Sequence, residues 1–415
     1  MKTALSLPHN GYGRIAQAME TGLRPAPGRK KRNGMQWFLR VLFGIREDKN
    51  PPAILIAGGG TGGHLFPGIA IAESLLEKDP NTRILFVSRG NDFEKAVLSE
   101  KGFHLETIRV EGIKGRGIMA KVRSLLKIPG AVMTSIFILK RFRPCLVIGM
   151  GSYSSGPVAL AAWMMGIDIV LHEQNIRPGI TNRMLSRLAD RIYVSFQGTQ
   201  TIDPAKVRML GNPVRREIRT AGKSLNESLE AARRERLINI VVLGGSQGAH
   251  SINTAVVEAL PYLAQEGGYR FIHQTGKADE ATVREAYAAA GIAAEVKSFF
   301  YDMAQLYIEA DLLVCRAGAT TVAEVTSIGK GAIFIPYPYA ADNHQVLNAQ
   351  ALVDEGAAEI ILEDDLSGAV LAEKIRMLSR NPERIREMNR KSKMFGRPEA
   401  AAEITTDIYT LIEGE

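Results

Sequence analysis

Chemistry is concentrated in a few glycine-rich bends that follow apolar runs. "LIAGGGTGGHLFPG", Leu55 to Gly68, crowds five glycines and His64 between a strand-like run and a helix-like one. So bare a loop lets backbone amides approach a phosphate at a helix N-terminus. Gly58, Gly60 and Gly63 also satisfy G-x-G-x-x-G, the dinucleotide fingerprint. That reading wants an acidic residue at the end of the next strand, where "FVSRGND" supplies Ser88 and Arg89. A second bend, "GGSQGAH", spaces Gly244, Ser246 and Gly248 as in the G-x-S-x-G nucleophile elbow, with Asp311 or Asp342 and then His344 following. The elbow normally follows several strands, whereas this one opens its domain. Ser246 is more simply read as a hydroxyl and N–H donor to phosphate. No lysine fills the Walker position, "HEQN" lacks the second histidine of a zinc helix, and no Asp-x-Asp pair is present to hold a metal. A bound diphosphate would be neutralised by helix ends, hydroxyls and arginine, without metal or cofactor.

The surrounding pattern is one that can position such bends. Short buried runs ("AILIAGG", "RILFVS", "CLVIGMG", "DIVLHEQN", "RIYVSF") alternate with amphipathic helical stretches, which indicates a parallel α/β sheet. The series then restarts. "INIVVLGGSQGAH" at 238–250 echoes "AILIAGGGTGGH" at 53–64, and "RFIHQTG", "EVKSFF", "DLLVCRAG" and "GAIFIPYP" supply later strands. Two Rossmann-like halves facing one cleft are predicted, with ligands at the carboxyl ends of the strands. The expected division is a basic extension over 1–52, a first domain over 53–219, a linker over 220–236, a second domain over 237–395 and a C-terminal helix over 396–415.

The 415-residue chain is long enough for two cores. Its two cysteines, Cys145 and Cys315, offer no disulfide framework, which suits a reducing compartment. Of the net charge of +8, the first 52 residues carry +7, ten cations against three carboxylates. The rest is nearly neutral, which argues against nucleic acid as a partner. The basic cluster of that arm, followed by "MQWFLRVLFG", suits either an anionic membrane surface or a solvated extension.

Eight segments, "GGTGGHLFPG", "GMGSYSSGP", "HEQN", "GNPVR", "GGSQGAHSIN", "HQTGK", "CRAGATTVAEV" and "DNHQVLNA", occur in one order across residues 53–410. In that order the chain resembles the MurG family, the N-acetylglucosaminyltransferases of peptidoglycan synthesis, which have the two-Rossmann GT-B fold. The resemblance implies transfer of N-acetylglucosamine from its UDP donor to the C4 hydroxyl of the muramic acid of lipid I, with inversion, giving lipid II and UDP. It implies no cofactor, and a peripheral enzyme on the cytoplasmic face of a bacterial plasma membrane, with other cell-wall or division proteins as further partners.

Carried over by position, the resemblance puts the donor mainly on the second half. Glu324 would accept from the ribose hydroxyls. Ala319, Thr320, Thr321, Val322 and Ala323 open a helix whose dipole faces the diphosphate, favouring an anion by ~0.3–2 kcal/mol. Ser246 would donate to the phosphates, the backbone of Phe300 would read uracil, Arg215 would lie near the nucleotide, and Gln345, beside His344, would hold sugar hydroxyls. Departures from the family pattern ("RAGATT", "YAADNHQ") fall around the sugar contacts. In the first half Thr61, Gly62 and Gly63 would cradle a phosphate, as would the loop of Gly149, Gly151 and Ser154. Asn175 would meet the donor sugar or the acceptor. His64 is the expected base, since imidazole titrates near neutral pH, and Glu173 is its rival. Each has an alternative: His64 as a helix-start residue bonding backbone, Glu173 as a loop brace, Glu324 as a solvated carboxylate, Arg215 as a surface pair. His172, His250 and His273 are read as structural.

A lipid-borne acceptor requires membrane contact. Lys114, Arg116, Lys121 and Arg123 interleave with Ile118, Met119, Leu125 and Leu126, and Trp163 stands in "AAWMMG". A basic rim around apolar residues suits an anionic bilayer; the alternative is a core helix with a solvated face. Rival functions are another UDP-sugar enzyme of this fold, a glycolipid synthase or an epimerase, and a non-catalytic nucleotide-sugar sensor.

Overall fold

The computed structural model describes residues 51–110, 118–199, 203–224, 237–245 and 248–413, without the side chains of 118–126, 223 and 224. The N-terminal arm through residue 50, Lys114, Arg116, most of the expected linker and Ser246 therefore lie outside the described residues.

In the first half the strands are β1 (Ala53–Ala57), β2 (Arg83–Ser88), β3 (His104–Thr107), β4 (Leu146–Gly149), β5 (Asp168–Glu173), β6 (Arg191–Val194) and β7 (Val207–Met209). Between them run α1 (Gly62–Lys78), α2 (Asp92–Glu100), α3 (Ile118–Phe142), α4 (Ser155–Met164) and α5 (Ile180–Leu185). After α6 (Arg216–Ser224) come β8 (Ile238–Leu243), α7 (His250–Ala264), β9 (Tyr269–Gln274), α8 (Glu280–Ala290), β10 (Ala293–Lys297), α9 (Met303–Glu309) and β11 (Leu312–Cys315). The chain ends with α10 (Ala319–Ile328), β12 (Ala332–Phe334), α11 (His344–Val353), β13 (Ala358–Ile360), α12 (Gly368–Ser379), α13 (Pro382–Phe395) and α14 (Ala400–Glu413). Both sheets are wholly parallel, ordered 3-2-1-4-5-6-7 and 10-9-8-11-12-13. β1, β4, β5, β8 and β11 are buried along their whole apolar length or all but its first residue, as sheets covered by helices on both faces require. The order reverses between β1 and β4 and again between β8 and β11, so the bends after these four strands are the crevices where ligands of such sheets bind.

One boundary differs from the sequence expectation. Val214, Ile218 and Ala221 pack in the second domain's core with Tyr307 and Val325, so the chain crosses over near Gly211, before residue 219. The C-terminal helix expected over 396–415 is α14, and it packs on the first domain. Ile404 and Ile408 of α14 are buried with Leu65 and Ile69 of α1, Thr405 bonds Ser74, and Tyr193 donates to Asp407. The apolar stripe of α14 finds its partner on the first domain, which the chain re-enters after Gly396.

The bend after β8 shows why a glycine is needed there. Gly248 sits at φ +79°, and a Cβ would fall 2.1 Å from the Thr275 carbonyl oxygen. Gly248→Ala combines left-handed strain with a collision against backbone. It is expected to destabilise the protein by about 2 kcal/mol or more, read as a lowered midpoint in thermal unfolding.

Candidate functional site

On the first domain, the bend after β1 is held from behind. Glu94, fully buried, accepts from the amides of Gly60 and Asn91, so Gly60 does not offer its N–H to the cleft. The amides that remain for an anion are those of the first turn of α1, at Gly62 and Gly63, which an α-helix leaves without intrahelical acceptors. Thr61 is the N-cap residue of that turn and His64 its third helical residue.

His64 heads a chain of four groups. Its Nδ1 lies 3.1 Å from Gln174 Oε1, while Gln174 Nε2 donates to the Met150 carbonyl and approaches His172 Nδ1 at 3.1 Å. His172 Nε2 in turn meets the Gly211 carbonyl at 3.1 Å. These contacts admit one protonation pattern. Gln174 can donate only through its nitrogen, so its oxygen must accept from Nδ1–H of His64, and Nε2 of His64 carries the lone pair. Burial, with a smaller push from His344, outweighs Glu173, Gln174 and the Met150 carbonyl and draws the His64 pKa below 6.5, which favours the neutral ring at physiological pH. Burial also takes His172 down to about 4. Neutral imidazole with an unshared Nε2 pair is the form a proton acceptor needs.

Glu173 is occupied otherwise. Its carboxylate, 2% exposed, accepts from the backbone N–H groups of Asn175 and Gly179 and from the side chains of Asn175 and Asn182. Four donors on two oxygens make it the brace of the 174–179 loop, and the rival-base expectation is corrected accordingly. The neighbouring loop is shaped by Gly149, which closes β4, and by Gly151 at φ +90°, whose missing side chain makes room for Asn182. Ser154 is buried with its hydroxyl 2.6 Å from that of Ser152.

The second domain presents the start of α10 to this surface. Pro67, inside α1, has no N–H, so the carbonyl of Gly63 loses its helical donor. Thr320 Oγ1 supplies the bond from across the cleft at 3.2 Å. Ala319, Thr321, Val322 and Ala323 belong to the same first turns, capped at Gly318. Asn348 makes a second bridge, donating to Asn175 Oδ1 and the Ala317 carbonyl and accepting from Ile176 N–H. The first turn of α10 and the His64 loop thus face each other within bonding distance.

Glu324 is no solvated carboxylate. It is 4% exposed, Arg215 donates to its Oε1 at 2.8 Å, and Tyr307 donates to its Oε2 at 2.9 Å. The Arg215 guanidinium also lies 5.0 Å from the ring centroid of Phe66 in α1, so this arginine is no surface pair either. Phe300 gives its backbone N–H to Gln274 Oε1, whose amide nitrogen is anchored on the Gly245 carbonyl. The Gln345 side-chain oxygen accepts from Tyr337 N–H, and His344 Nδ1 bonds the Ala341 carbonyl. His273 is buried between Tyr287 and Asn253, a structural setting, whereas His250 pairs on the surface with Asp279.

Sequence reasoning passed over Gln174, Asn348, Tyr307 and Phe66. The signal for Gln174 was its place two residues after His172, where the chain leaves the end of β5. For Asn348 it was the single helical turn separating it from His344.

On the membrane expectation, α3 divides. Ala131, Val132, Ile138 and Leu139 are core, while Met133 and Phe137 are exposed, as are Trp163 and Met164 on the packed neighbour α4. Ile118, Met119, Lys121, Arg123, Leu125 and Leu126 lie on the backbone of α3, their side chains outside the described residues.

Comparison with known proteins agrees with this architecture. Residues 54–194 match the glycosyltransferase family 28 N-terminal domain and residues 239–404 the family 28 C-terminal domain. A UDP-N-acetylglucosamine–N-acetylmuramyl-(pentapeptide) pyrophosphoryl-undecaprenol N-acetylglucosamine transferase of Syntrophus aciditrophicus is 46% identical over 361 residues, 86% of this chain and 98% of that protein. The crystal structure of Acinetobacter baumannii MurG superposes with a TM-score of 0.74 at 31% identity, covering 87% of this chain and all of the other. A UDP-GlcNAc 2-epimerase from Neisseria meningitidis shares the fold, with a TM-score of 0.61 at 15% identity. The chain is a GT-B glycosyltransferase of family 28 and belongs to the MurG family.

Proposed function

We propose that this protein moves N-acetylglucosamine from UDP-N-acetylglucosamine to the C4 hydroxyl of the muramic acid of lipid I, forming lipid II and UDP. The observation that carries the reading is the juxtaposition of neutral His64 with the N-terminal turn of α10, tied by Thr320 to Gly63. In a single displacement, Nε2 of His64 takes the proton of the acceptor hydroxyl. The oxygen attacks the anomeric carbon from the face opposite the diphosphate, the bond to the diphosphate breaks, and the configuration inverts. The leaving UDP carries its new charge to the amides and dipole of α10 and to the Ser246 loop, with no metal ion. Glu324 accepts from the ribose, Phe300 lies at the base and Gln345 at the sugar. Thr61, Gly62, Gly63 and the Gly149–Ser154 loop serve the acceptor's phosphates, with Asn175 between the two ligands.

Labelled UDP-N-acetylglucosamine with a lipid I analogue and EDTA should put label into lipid. Release of UDP without acceptor, or no transfer, would refute the proposal; the first outcome would instead match epimerase chemistry.

The acceptor is lipid-borne, so we also place the enzyme peripherally on the cytoplasmic face of the membrane. Among the described residues no helix is long and apolar enough to cross a membrane. Phe137 and Trp163 are 65% and 40% exposed on adjacent helices, and the basic segment 114–127 precedes them. Phe137→Asp with Trp163→Asp should weaken co-sedimentation with anionic vesicles about tenfold, without lowering the melting temperature. Unchanged co-sedimentation would remove this surface from the membrane contact.

A further inference from the structure

The two places where the chain changes domain, Gly211–Asn212 and Gly396–Arg397, lie together, and a cavity of about 440 Å³ opens between them. Its lining omits His64, Phe300, Glu324 and Gln345 but takes in Ala319, Val322 and Ala323, so it adjoins the donor side of the cleft across α10. Its volume and position at a domain junction are those of small-molecule sites. Phe196, Val322 and Leu352, all buried, form its apolar wall. In that wall Asn212 is 3% exposed, and neither its side-chain nitrogen nor its side-chain oxygen has a hydrogen-bond partner. A buried amide left unsatisfied on both atoms costs about 1–3 kcal/mol, and an anionic oxygen that accepts from its nitrogen would recover part of that cost.

The rim supplies charge. Arg390, Lys391 and Arg397 line the opening against one carboxylate, Glu355. Lys391 is paired with Glu387, but among the described residues no carboxylate lies within ion-pair distance of Arg390 or Arg397. An apolar wall, a lone amide and a doubly cationic rim together define an amphipathic anion.

We propose that this junction is a binding site for a small organic anion, with a compact apolar body and a carboxylate or phosphate head, and that its occupancy alters donor affinity. Asn212 is three residues from Arg215, whose guanidinium holds Glu324, and Ala319, Val322 and Ala323 show one face of α10 to the cavity. An occupant touches both chain crossings and the helix whose first turn faces the cleft. Any preference it has for one cleft geometry must appear in UDP binding, and UDP must change its affinity reciprocally.

The test uses 1-naphthoate, with 1-naphthalenemethanol as the neutral control, titrated calorimetrically into the full chain saturated with UDP so that the donor site is filled. Binding is expected to be about tenfold weaker for the neutral compound, and about tenfold weaker for naphthoate in Arg390→Glu/Arg397→Glu. Asn212→Leu should also lose naphthoate while melting no lower than the wild type, because an apolar isostere removes two unsatisfied atoms. Naphthoate should shift the UDP Kd of the wild type at least about threefold and leave that of the double variant unchanged. No binding, binding that both variants retain, or an unshifted UDP Kd would each overturn the proposal. So would a lowered melting temperature of Asn212→Leu with naphthoate binding intact.

Discussion

His64→Ala is expected to lower kcat by about 10²–10⁴-fold while leaving the Kd for UDP nearly unchanged, which is the signature of a lost proton acceptor. The expectation rests on the hydrogen-bond chain behind the ring more than on the ring itself. Gln174 fixes Nδ1 as the protonated nitrogen because its own nitrogen is committed to Met150 and His172. Gln174→Leu removes that constraint without touching substrate, so kcat should fall while KM for the donor holds. Gln174→Glu should do something different. A carboxylate facing Nδ1 favours imidazolium, so the His64 pKa rises. In the wild type the pKa lies below 6.5, hence the base is unprotonated at neutral pH and kcat should fall only as the pH is taken below that value. In Gln174→Glu the acid limb moves to higher pH. A pH–rate profile that is identical in the two proteins, or a His64→Ala enzyme with full kcat, would place the base elsewhere.

The same chain shows what could be read from letters and what could not. Buried β-branched strands ending in glycine bends are local signals, since the pattern of one segment fixes its burial and its turn. The two parallel sheets, the bends at their switch points and His64 beside one of them follow from that. The work of Gln174 is not local. A glutamine just past the end of β5 has no preferred partner until the end of β4 brings Met150 beside it and α1 brings His64. Asn348 is similar, because its bonds to Asn175 and Ile176 exist only once the second domain has docked. The surface on which the last helix docks is not local information either. Amphipathic spacing in α14 announces a buried face but carries no label for the surface that buries it. Residues 214–219 fall in the first domain by sequence, yet Val214 and Ile218 complete the neighbouring core.

Glu324 separates stability from binding most sharply. Glu324→Ala would leave the Arg215 guanidinium and the Tyr307 hydroxyl buried without their acceptor. Breaking a buried pair in this way costs about 3–5 kcal/mol, so a large drop in unfolding free energy is expected. Loss of UDP binding in that variant could then follow from damage alone. The double variant Arg215→Met/Glu324→Leu resolves this. Both charges leave together and apolar side chains fill the space, a replacement that is often neutral or stabilising for buried pairs. Stability should therefore return toward the wild type. The ribose hydroxyls would still lack their carboxylate, and hydrogen bonds to a charged group contribute about 1.5–3 kcal/mol each, so UDP should bind at least about tenfold more weakly. Denaturant unfolding gives the first quantity and calorimetric titration of UDP the second. If the double variant regains stability and binds UDP as the wild type does, Glu324 is a strut between α10 and the crossover near Gly211, and the ribose is held by other groups. If stability returns and UDP binding does not, the carboxylate acts both as brace for Arg215 and as acceptor for the nucleotide. Arg215 engages Oε1 of Glu324 through both Nε and Nη2, whereas Oε2 takes the Tyr307 hydroxyl and keeps capacity for one further donor, so the ribose would be met at Oε2.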